Sequence, residues 1–361
     1  MKSELAARLT PPETKNHSSV ARIADDWYIV CESKKLRRKP MQVTLLGAPI
    51  VLFRNKNGAV GALLDRCPHR NVPLSAGKVK NENLECAYHG WQFNTGGVCK
   101  LVPGLNAEHE KKGRNAASYA VKEQDGFVWL YATPGVKPER DPYHFSLINH
   151  GDYTTVTQEL SIEGSVHAVA ENALDVPHTA YLHGGLFRSE NTEKNELDVV
   201  VRRWHDRVEA EFIGEPRPEG LAGKVLAPKG GTVTHFDRFY LPSILQVEYK
   251  LGESSHLNLA AALTPVTDFE TRLFAVVTFR LPFPGWLIKT LVKPVVLFIF
   301  GQDARMLKKQ TETIERFGGE QYVSTEIDVL GPHILRLLRQ AERGERTSVE
   351  EPTVKRLKML T

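Results

Sequence analysis

The chain has 361 residues, enough for two domains that each bury a hydrophobic core. Apolar residues make up 41% and charged residues 25%, which is typical of a globular protein rather than a membrane or disordered one. The net charge of +4 is too small to indicate a nucleic-acid partner. Four cysteines are too few for a disulfide framework, and this favours a reducing, cytoplasmic compartment.

The first part of the chain predicts β-structure after a short tail. Residues 1–20 are polar, contain two prolines and are expected to form a loose N-terminal tail without a secretory signal. Residues 41–65 alternate as strands do, and Asn55-Lys-Asn-Gly58 is a hairpin signal within them. Residues 126–131 predict a further strand.

A linker separates two predicted domains. Pro134-Gly-Val-Lys-Pro138 has the composition of a linker, so we place the boundary near residue 138. The expected organisation is a tail over 1–20, a first domain over 21–138 and a second domain over 139–361.

Two Cys/His pairs lie at the predicted strand ends of the first domain. Cys67-Pro-His69 is followed, after sixteen residues, by Cys86-Ala-Tyr-His89. A Rieske-type [2Fe–2S] centre needs this mixture, because two histidines replace two thiolates on one iron. Zinc sites also use Cys and His but usually group the two residue types separately, whereas here they interleave. The pairs therefore favour a Rieske centre over the zinc alternative.

The second domain is predicted to be α+β. Helix is favoured over residues 158–183, 294–317 and 330–343, and strands are favoured over 197–213, 232–250 and 256–281. We expect an antiparallel sheet covered by helices.

His178 and His183 are candidate ligands for a second metal. A mononuclear Fe(II) oxygenase site needs two imidazoles and one carboxylate. Five residues apart on a regular helix, the two rings would point about 140° apart. They can share a metal only if the helix ends between them, and Gly184-Gly185 supports such an ending. The alternative is a core histidine and a helix-end histidine with no common ligand.

Together these motifs resemble the Rieske non-haem iron oxygenases. The residues that carry the likeness are Cys67-Pro-His69-Arg70, Cys86-Ala-Tyr-His89-Gly90-Trp91 and Asn172-x-x-Asp175-x-x-His178-x(4)-His183. The resemblance implies an all-β Rieske domain followed by a helix-grip (START-like) antiparallel-sheet catalytic domain. It implies that Cys67, His69, Cys86 and His89 bind the [2Fe–2S] cluster and that His178 and His183 bind mononuclear Fe(II).

The resemblance also implies a carboxylate ligand on a C-terminal helix. Asp303 is the one acidic residue between positions 271 and 311, and the resembling enzymes carry a Gln-Asp pair like Gln302-Asp303. Helix capping is the alternative role for Asp303. The apolar run before it favours the ligand role, because an acid in such surroundings needs a compensating cation.

Asp175 has an implied role between subunits. In the family the matching aspartate links a cluster histidine of one subunit to an iron-binding histidine of its neighbour. The same link here would run His89…Asp175…His178 and implies a ring, usually a homotrimer. Asn172 is expected beside the iron without binding it. The alternative for Asp175 is an N-cap for the turn that holds Pro177 and His178.

The implied function is that of a terminal oxygenase component that uses external electrons and O2. No flavin or nucleotide fingerprint occurs in the sequence, so a separate reductase or ferredoxin is expected as partner. A plain Rieske electron carrier and a ligand-binding redox sensor are the alternatives from other classes.

The substrate is expected to be a bulky hydrophobic small molecule, such as a sterol, that is hydroxylated or oxidatively demethylated. The apolar stretch 281–300, which three prolines and two lysines interrupt, fits an entrance for such a substrate from a membrane or carrier. Burial in the core is the alternative for this stretch. An aromatic acid or methoxyarene is the alternative substrate. We expect a cytoplasmic protein, with peripheral membrane contact as a further option.

Overall fold

A computed structural model of the chain describes residues 19–183, 196–215, 233–252, 255–281, 284–345 and 351–360. The protein divides into two compact units. The first unit contains Ala24–His144, and the second contains the residues from Phe145 onward with the segment that ends at Ile23. The predicted domain bounds stay a prediction.

Hydrogen bonds explain where the units divide. Trp27 Nε1 donates to the Arg140 carbonyl at 2.8 Å, and Gln124 Nε2 donates to the Tyr143 carbonyl at 3.0 Å. These bonds hold residues beyond 138 to the first unit. The segment before Ala24 instead pairs with the second unit, because Arg22 forms a salt bridge of 2.7 Å to Asp268. Of the predicted tail, only its last two residues lie within the described ranges.

The first unit consists of short antiparallel strands. Three sheets have the strand orders β1-β11-β10, β2-β3-β4-β9 and β5-β6-β7-β8. The strands are β1 (Trp27–Glu32), β2 (Met41–Leu45), β3 (Ala48–Arg54), β4 (Val60–Leu64), β5 (Lys78–Lys80), β6 (Asn83–Glu85), β7 (Gln92–Phe93), β8 (Cys99–Leu101), β9 (Ser118–Tyr119), β10 (Val121–Gln124) and β11 (Phe127–Tyr131). The hairpin predicted at residues 55–58 joins β3 to β4, with the Gly58 N–H donating to the Asn55 carbonyl at 3.0 Å.

Strand β3 is buried on both faces. Ile50 and Leu52 pack into a cluster with β1 and β11, while Val51 and Phe53 pack into a second cluster that contains Cys67 and Cys86. Because side chains alternate between the faces of a strand, β3 connects the two cores. The Cys/His loops therefore rest on a fully packed strand.

The second unit is one antiparallel sheet with helices against it. The strand order is β12-β18-β17-β16-β15-β14-β13-β19. Its elements are β12 (Thr154–Glu163), α1 (Val166–Ala173), α2 (His178–Leu182), β13 (Glu196–Arg203), β14 (Arg207–Ile213), β15 (Val233–Tyr240), β16 (Ile244–Leu251), β17 (Ser255–Pro265), β18 (Glu270–Arg280), α3 (Gly285–Phe317), α4 (Gly331–Glu342) and β19 (Thr353–Leu360). The predicted fold class, an all-β domain followed by an antiparallel sheet with helices, is confirmed.

Two predicted helices need correction. The helix predicted from residue 158 is wrong at its start, because 158–163 belong to β12, which pairs with β18 over ten residues. Helix α1 begins only at Val166, where the Ser165 hydroxyl accepts a hydrogen bond from the Ala168 N–H. Helix α3 begins at Gly285, before the predicted residue 294, and Pro294 lies inside it. Strand β19 was not predicted.

One face of the sheet packs against the helices. Alternate residues such as Val199, Ala210, Phe239 and Ala261 form one apolar cluster with residues of α1, α3 and α4, including Leu307. We call this helix-covered side the inner face. Side chains of a strand alternate between its two faces, and the helices cover the inner face, so the buried apolar side chains lie on this side.

Two large aromatic residues are exposed in the N-terminal half of α3. Trp286 and Phe298 are 72% and 56% accessible, so the core-packing alternative for this stretch is wrong at these two positions. Within the described ranges, no helix is long and apolar enough to cross a membrane.

The backbone approaches closely at Gly77, after the first Cys/His loop, and a substitution there can test this packing. A Cβ at this position would lie 2.1 Å from the backbone carbonyl oxygen of Glu85 in β6, which cannot move without breaking the β5–β6 pairing. We expect Gly77→Ala to lower the free energy of unfolding by about 1–3 kcal/mol. Gly113→Ala, at a position with open space around it, is the matched control. Urea unfolding measures both; equal stability of the two variants would contradict the close approach.

Candidate metal sites

Two loops with the same hydrogen-bond frame carry the Cys/His pairs. The Cys67 N–H donates to the Val72 carbonyl at 2.9 Å and the Cys86 N–H donates to the Trp91 carbonyl at 2.8 Å. Each loop closes with a residue of positive φ, Asn71 at 63° and Gly90 at 69°, whose N–H donates back to the cysteine carbonyl. The repeated frame presents two equivalent pairs of ligands.

Hydrogen bonds and packing hold these loops. Asp65, buried at the base of the first loop, accepts bonds from the Ser75 N–H at 2.7 Å and the Ser75 hydroxyl at 2.6 Å. The His69 ring stacks on Trp91 at 4.7 Å, which ties the first loop to the second. The rings of His69 and His89 lie 4.5 Å apart. The four predicted cluster residues are therefore brought together.

Burial differs between the sulfur and imidazole ligands. Cys67 and Cys86 are 2% and 3% exposed, whereas His89 is exposed. Burial raises the pKa of the Cys67 thiol, the neighbouring Cys86 acts in the same direction, and the backbone N–H groups of His69 and Arg70 oppose them. Metal ligation here must therefore displace protons. Desolvation, followed by Arg70 and His89, lowers the pKa of His69, which favours the neutral imidazole that a metal ligand needs.

The donor set fits a [2Fe–2S] cluster of the Rieske type. The side-chain Nδ1 of His69 is buried and has no hydrogen-bond partner among the described residues, as expected of an atom that faces a ligand. Two thiols and two imidazoles in paired loops are the ligands that such a cluster uses.

His178, His183 and Asp303 converge on one point. One ligand atom from each lies within 4.8 Å of the other two. Asp303 Oδ1 is 3.0 Å from His183 Nε2 and 3.6 Å from His178 Nε2. Helix α2 ends at Leu182, so His183 leaves the helix with φ −113° and ψ 31° and turns its ring toward His178. The break that the shared site requires is therefore present. Gly184-Gly185, which predicted it, lies outside the described residues.

Neighbouring groups orient both imidazoles. His178 Nδ1 lies 2.5 Å from the Asp175 carbonyl oxygen, and His183 Nδ1 lies 2.9 Å from Gln302 Oε1. Each Nδ1–H therefore donates to an oxygen, and each Nε2 is left to face Asp303. Sequence reasoning noted Gln302 only as part of a pair and missed this orienting role. Its position next to Asp303 on α3 was the available signal.

The site favours a cation. Burial lowers the pKa of His178, but the carboxylates of Asp175 and Asp303 outweigh it and raise this pKa to about 9. Asp303 Oδ1 is also buried without a hydrogen-bond partner among the described residues. Two imidazoles and one carboxylate on one side are the ligand set of non-haem Fe(II) sites with open positions. These residues fit that metal.

Asp175 and Asn172 lie on the other side of His178. Asp175 Oδ2 accepts the His178 N–H at 3.0 Å, so the capping role predicted as its alternative is present in the structure. Asn172 lies in the last turn of α1, and its carbonyl accepts the Asp175 N–H at 3.3 Å. Both residues line a cavity of about 860 Å³ between α1, α3 and the segment before α4.

Models of two protein families match the two parts of the chain. Residues 26–120 match the Rieske [2Fe-2S] domain, and residues 162–344 match the vanillate O-demethylase oxygenase C-terminal domain. Dicamba O-demethylase of Stenotrophomonas maltophilia is 31% identical over 50% of this chain and 53% of that protein. The 4beta-methylsterol monooxygenase of Methylococcus capsulatus is 27% identical over 84% and 85% of the two chains.

A solved structure shows the same fold. The crystal structure of dicamba monooxygenase bound to 3,6-dichlorosalicylic acid aligns with a TM-score of 0.76 at 23% identity, covering 90% of this chain and 99% of that one. By sequence, the matched region spans about half the length of the dicamba relative.

Glu171, which lines the cavity, makes stability depend on pH. Burial, followed by the nearby carboxylates of Asp328 and Asp175, raises the pKa of Glu171 to about 7. Its protonated form therefore stabilises the fold below about pH 4.5, and this contribution is lost as pH rises through 7. We expect Glu171→Gln to raise the free energy of unfolding at pH 8 by about 1–3 kcal/mol, and by less at pH 5.

Urea unfolding at the two pH values measures this difference. Glu315→Gln, an exposed substitution on helix α3, is the control and should leave the pH dependence unchanged. A Glu171→Gln protein with the wild-type dependence would show that Glu171 does not titrate in this range.

Proposed function

Because the chain belongs to the Rieske non-haem iron oxygenases, we propose that it is the terminal oxygenase component of a multi-protein monooxygenase. It would take electrons from a separate reductase or ferredoxin and use O2 to hydroxylate or demethylate a hydrophobic substrate. The convergence of His178, His183 and Asp303 carries this proposal, because an electron carrier has no need of a second metal site.

Two separate sets of residues would bind the two metal groups. Cys67, Cys86, His69 and His89 would hold the [2Fe–2S] cluster, and His178, His183 and Asp303 would hold the mononuclear iron. Bound there, the iron supplies the reaction with O2. The chain's own residues do the positioning: the Asp175 carbonyl and Gln302 fix the two rings, and burial of His183 limits access of water.

Asp175 would connect neighbouring subunits. Its carboxylate lies 3.3 Å from His178 Nδ1, and His89 is exposed at the tip of its loop. An exposed cluster ligand can reach an acceptor on another copy of the chain. We therefore include in the proposal the bridge His89…Asp175…His178 between subunits of a homotrimer, with Asn172 beside the iron.

The proposed substrate is a bulky apolar polycycle such as a sterol. The similarity to 4beta-methylsterol monooxygenase supports it, as do the exposed Trp286 and Phe298 in the N-terminal half of α3, which could meet a membrane that holds such a molecule. The similarity to dicamba O-demethylase supports the alternative, an aromatic acid or methoxyarene. The protein would act in the cytoplasm, at a membrane surface where the substrate requires it.

Iron counting separates an oxygenase from a carrier or sensor. We expect about three irons per chain in the loaded wild-type protein and about two in His178→Ala. The variant should lose substrate turnover and keep the Rieske absorption, because the cluster ligands are untouched. Metal analysis, visible spectroscopy and product mass measure the three quantities.

The exposed His205 offers a matched control, since His205→Ala should keep all three irons. Two irons in the wild-type protein would contradict the proposal. Loss of the Rieske absorption in His178→Ala would contradict the independence of the two sites.

Oligomers that mix two inactive variants test whether electrons pass from the cluster of one subunit to the iron of its neighbour. His89→Ala removes a cluster ligand and His178→Ala removes an iron ligand, so each variant alone should be inactive. Co-expressed in equal amounts, they should recover about a quarter of wild-type turnover, because a quarter of the subunit contacts in a ring then join an intact cluster to an intact iron.

The Asp175→Asn substitution completes this test. Placed in the chain that keeps its iron site, it should remove most of the recovered activity, by at least about tenfold. Absence of recovery on mixing would show that electrons stay within one chain.

A further inference from the structure

The first unit is more basic than the chain as a whole. Its residues 24–144 contain 18 Lys and Arg residues and 12 Asp and Glu residues. This part of the chain therefore carries a net charge of +6, whereas the whole chain carries +4. Because a charged surface attracts partners of the opposite sign, an excess on one unit bears on what binds there.

Four exposed cations of the first unit lack a partner for their charge. Their side chains form no hydrogen bond or ion pair with any other described residue. Three of them are consecutive in the chain, and the fourth lies in the hairpin between β3 and β4. We call these four residues the basic platform: Arg37, Arg38, Lys39 and Lys56.

One guanidinium holds the two segments of the platform together. Arg54 donates to the Leu36 carbonyl at 3.1 Å, directly before Arg37, and to the Gly58 carbonyl at 2.9 Å, in the hairpin that contains Lys56. Leu36 is 2% exposed and packs into the core with β1 and β11. The backbone of the platform is therefore fixed before a partner arrives, which lowers the entropy lost on binding.

Nearby carboxylates neutralise little of the platform. Glu32 and Glu123 form salt bridges of 2.7 Å and 2.6 Å with other cations. Glu82 accepts a hydrogen bond from Asn57 at 2.7 Å and offsets one charge at most. The platform therefore presents a positive surface to the solvent.

The residue types at the platform indicate which class of partner it suits. Within residues 24–144, all of which the structure describes, Tyr88 is the one large apolar side chain that is exposed, and it lies beside His89 in the second cluster loop. Surface-bound helices insert apolar side chains into a bilayer, and single-stranded nucleic acids stack on aromatic ones. A platform of charges alone instead suits a protein of opposite charge. Transient electron-transfer complexes have small contacts, and charge guides the partners to each other.

The platform belongs to the unit that carries the cluster ligands. Phe53, next to Arg54 on β3, packs in the core cluster that contains Cys67 and Cys86. An external electron must arrive at this unit, because the residues that would bind the cluster are here.

We propose that the basic platform is the docking surface for an acidic electron-transfer protein that reduces the cluster. This rests on the proposed function, whose electron donor it narrows to a protein with a negatively charged surface. The step moves one electron: the reduced iron–sulfur protein is oxidised, the cluster is reduced, and no bond forms or breaks. Opposite charges would raise the rate of encounter between the two proteins.

An acidic plant-type ferredoxin is the probe. Calorimetric titration of the oxidised ferredoxin into the full-length, cluster-loaded protein measures a dissociation constant without electron transfer. Stopped-flow mixing with reduced ferredoxin then measures cluster reduction by its absorbance, and this transfer is downhill because plant-type ferredoxins have the lower potential. Affinity and rate should both fall by at least about tenfold between about 20 mM and about 200 mM salt, because salt screens the attraction.

Reversing two platform charges should weaken the complex. Arg38→Glu with Lys39→Glu should raise the dissociation constant and lower the second-order rate of cluster reduction by at least about tenfold at low salt, and should remove most of the salt dependence. The matched control is Lys355→Glu with Arg356→Glu, an adjacent exposed pair on β19 with the same change in net charge. Its values should stay within about twofold of wild type. The midpoint potential of the cluster should be the same in all three proteins.

Equal affinities and rates for the two double variants would overturn the proposal, as would a wild-type affinity that does not depend on salt. Sedimentation with phosphatidylserine vesicles tests the membrane alternative. If the platform variant lost vesicle binding but kept its affinity for ferredoxin, the platform would be a lipid-binding surface and the proposal would be wrong.

Two further measurements keep the test decisive. Thermal unfolding identifies a variant that has lost its fold, and Arg37→Gln with Lys56→Gln, which should weaken ferredoxin binding by at least about threefold, then decides. Neither ferredoxin binding nor cluster reduction needs the mononuclear iron. An iron count of two would therefore refute the proposed oxygenase activity without changing the result for the platform.

Discussion

The end of helix α2 at Leu182 determines the chemistry available to the second unit. A helix that continued through His183 would point its imidazole about 140° away from that of His178. Because the chain leaves the helix there, both Nε2 atoms face Oδ1 of Asp303, which comes from α3 more than a hundred residues later. The Asp175 carbonyl and Gln302 then hold the rings in place. One backbone break and two hydrogen bonds thus make a cation site from side chains of two helices.

In the first unit, two loops with the same backbone structure hold the Cys/His ligands. Both ligand loops have the same backbone hydrogen bonds. Each loop also has a residue in the left-handed conformation at the equivalent position, Asn71 in the first loop and Gly90 in the second. Burial of the two cysteines and exposure of His89 give the group an inner sulfur side and an outer imidazole side. The imidazole side of the group is therefore the side that faces solvent.

The inner face of the sheet in the second unit combines apolar side chains with a small group of charged ones. The inner face of the sheet is built of alternating apolar residues, which suits a hydrophobic ligand. His235, with Glu215 and Asp237 at its two ring nitrogens, lies on this face, and its ring is stacked between Phe212 and Tyr249.

The ligand types and the periodicity of the strands could be predicted from the amino-acid sequence alone. Interleaved Cys and His indicated the Rieske loops, alternation predicted most strands, and the spacing of His178 and His183 required a helix end between them. Tertiary structure decided the rest. Residues 158–163 became a strand because a ten-residue partner, β18, was available to pair with them. The placement of His235 and Asp237 could not be predicted, because polar residues at alternate strand positions usually mark the solvent side. Only the register of β14–β16 and the cover of helices put them inside, and those contacts join residues that are distant along the chain.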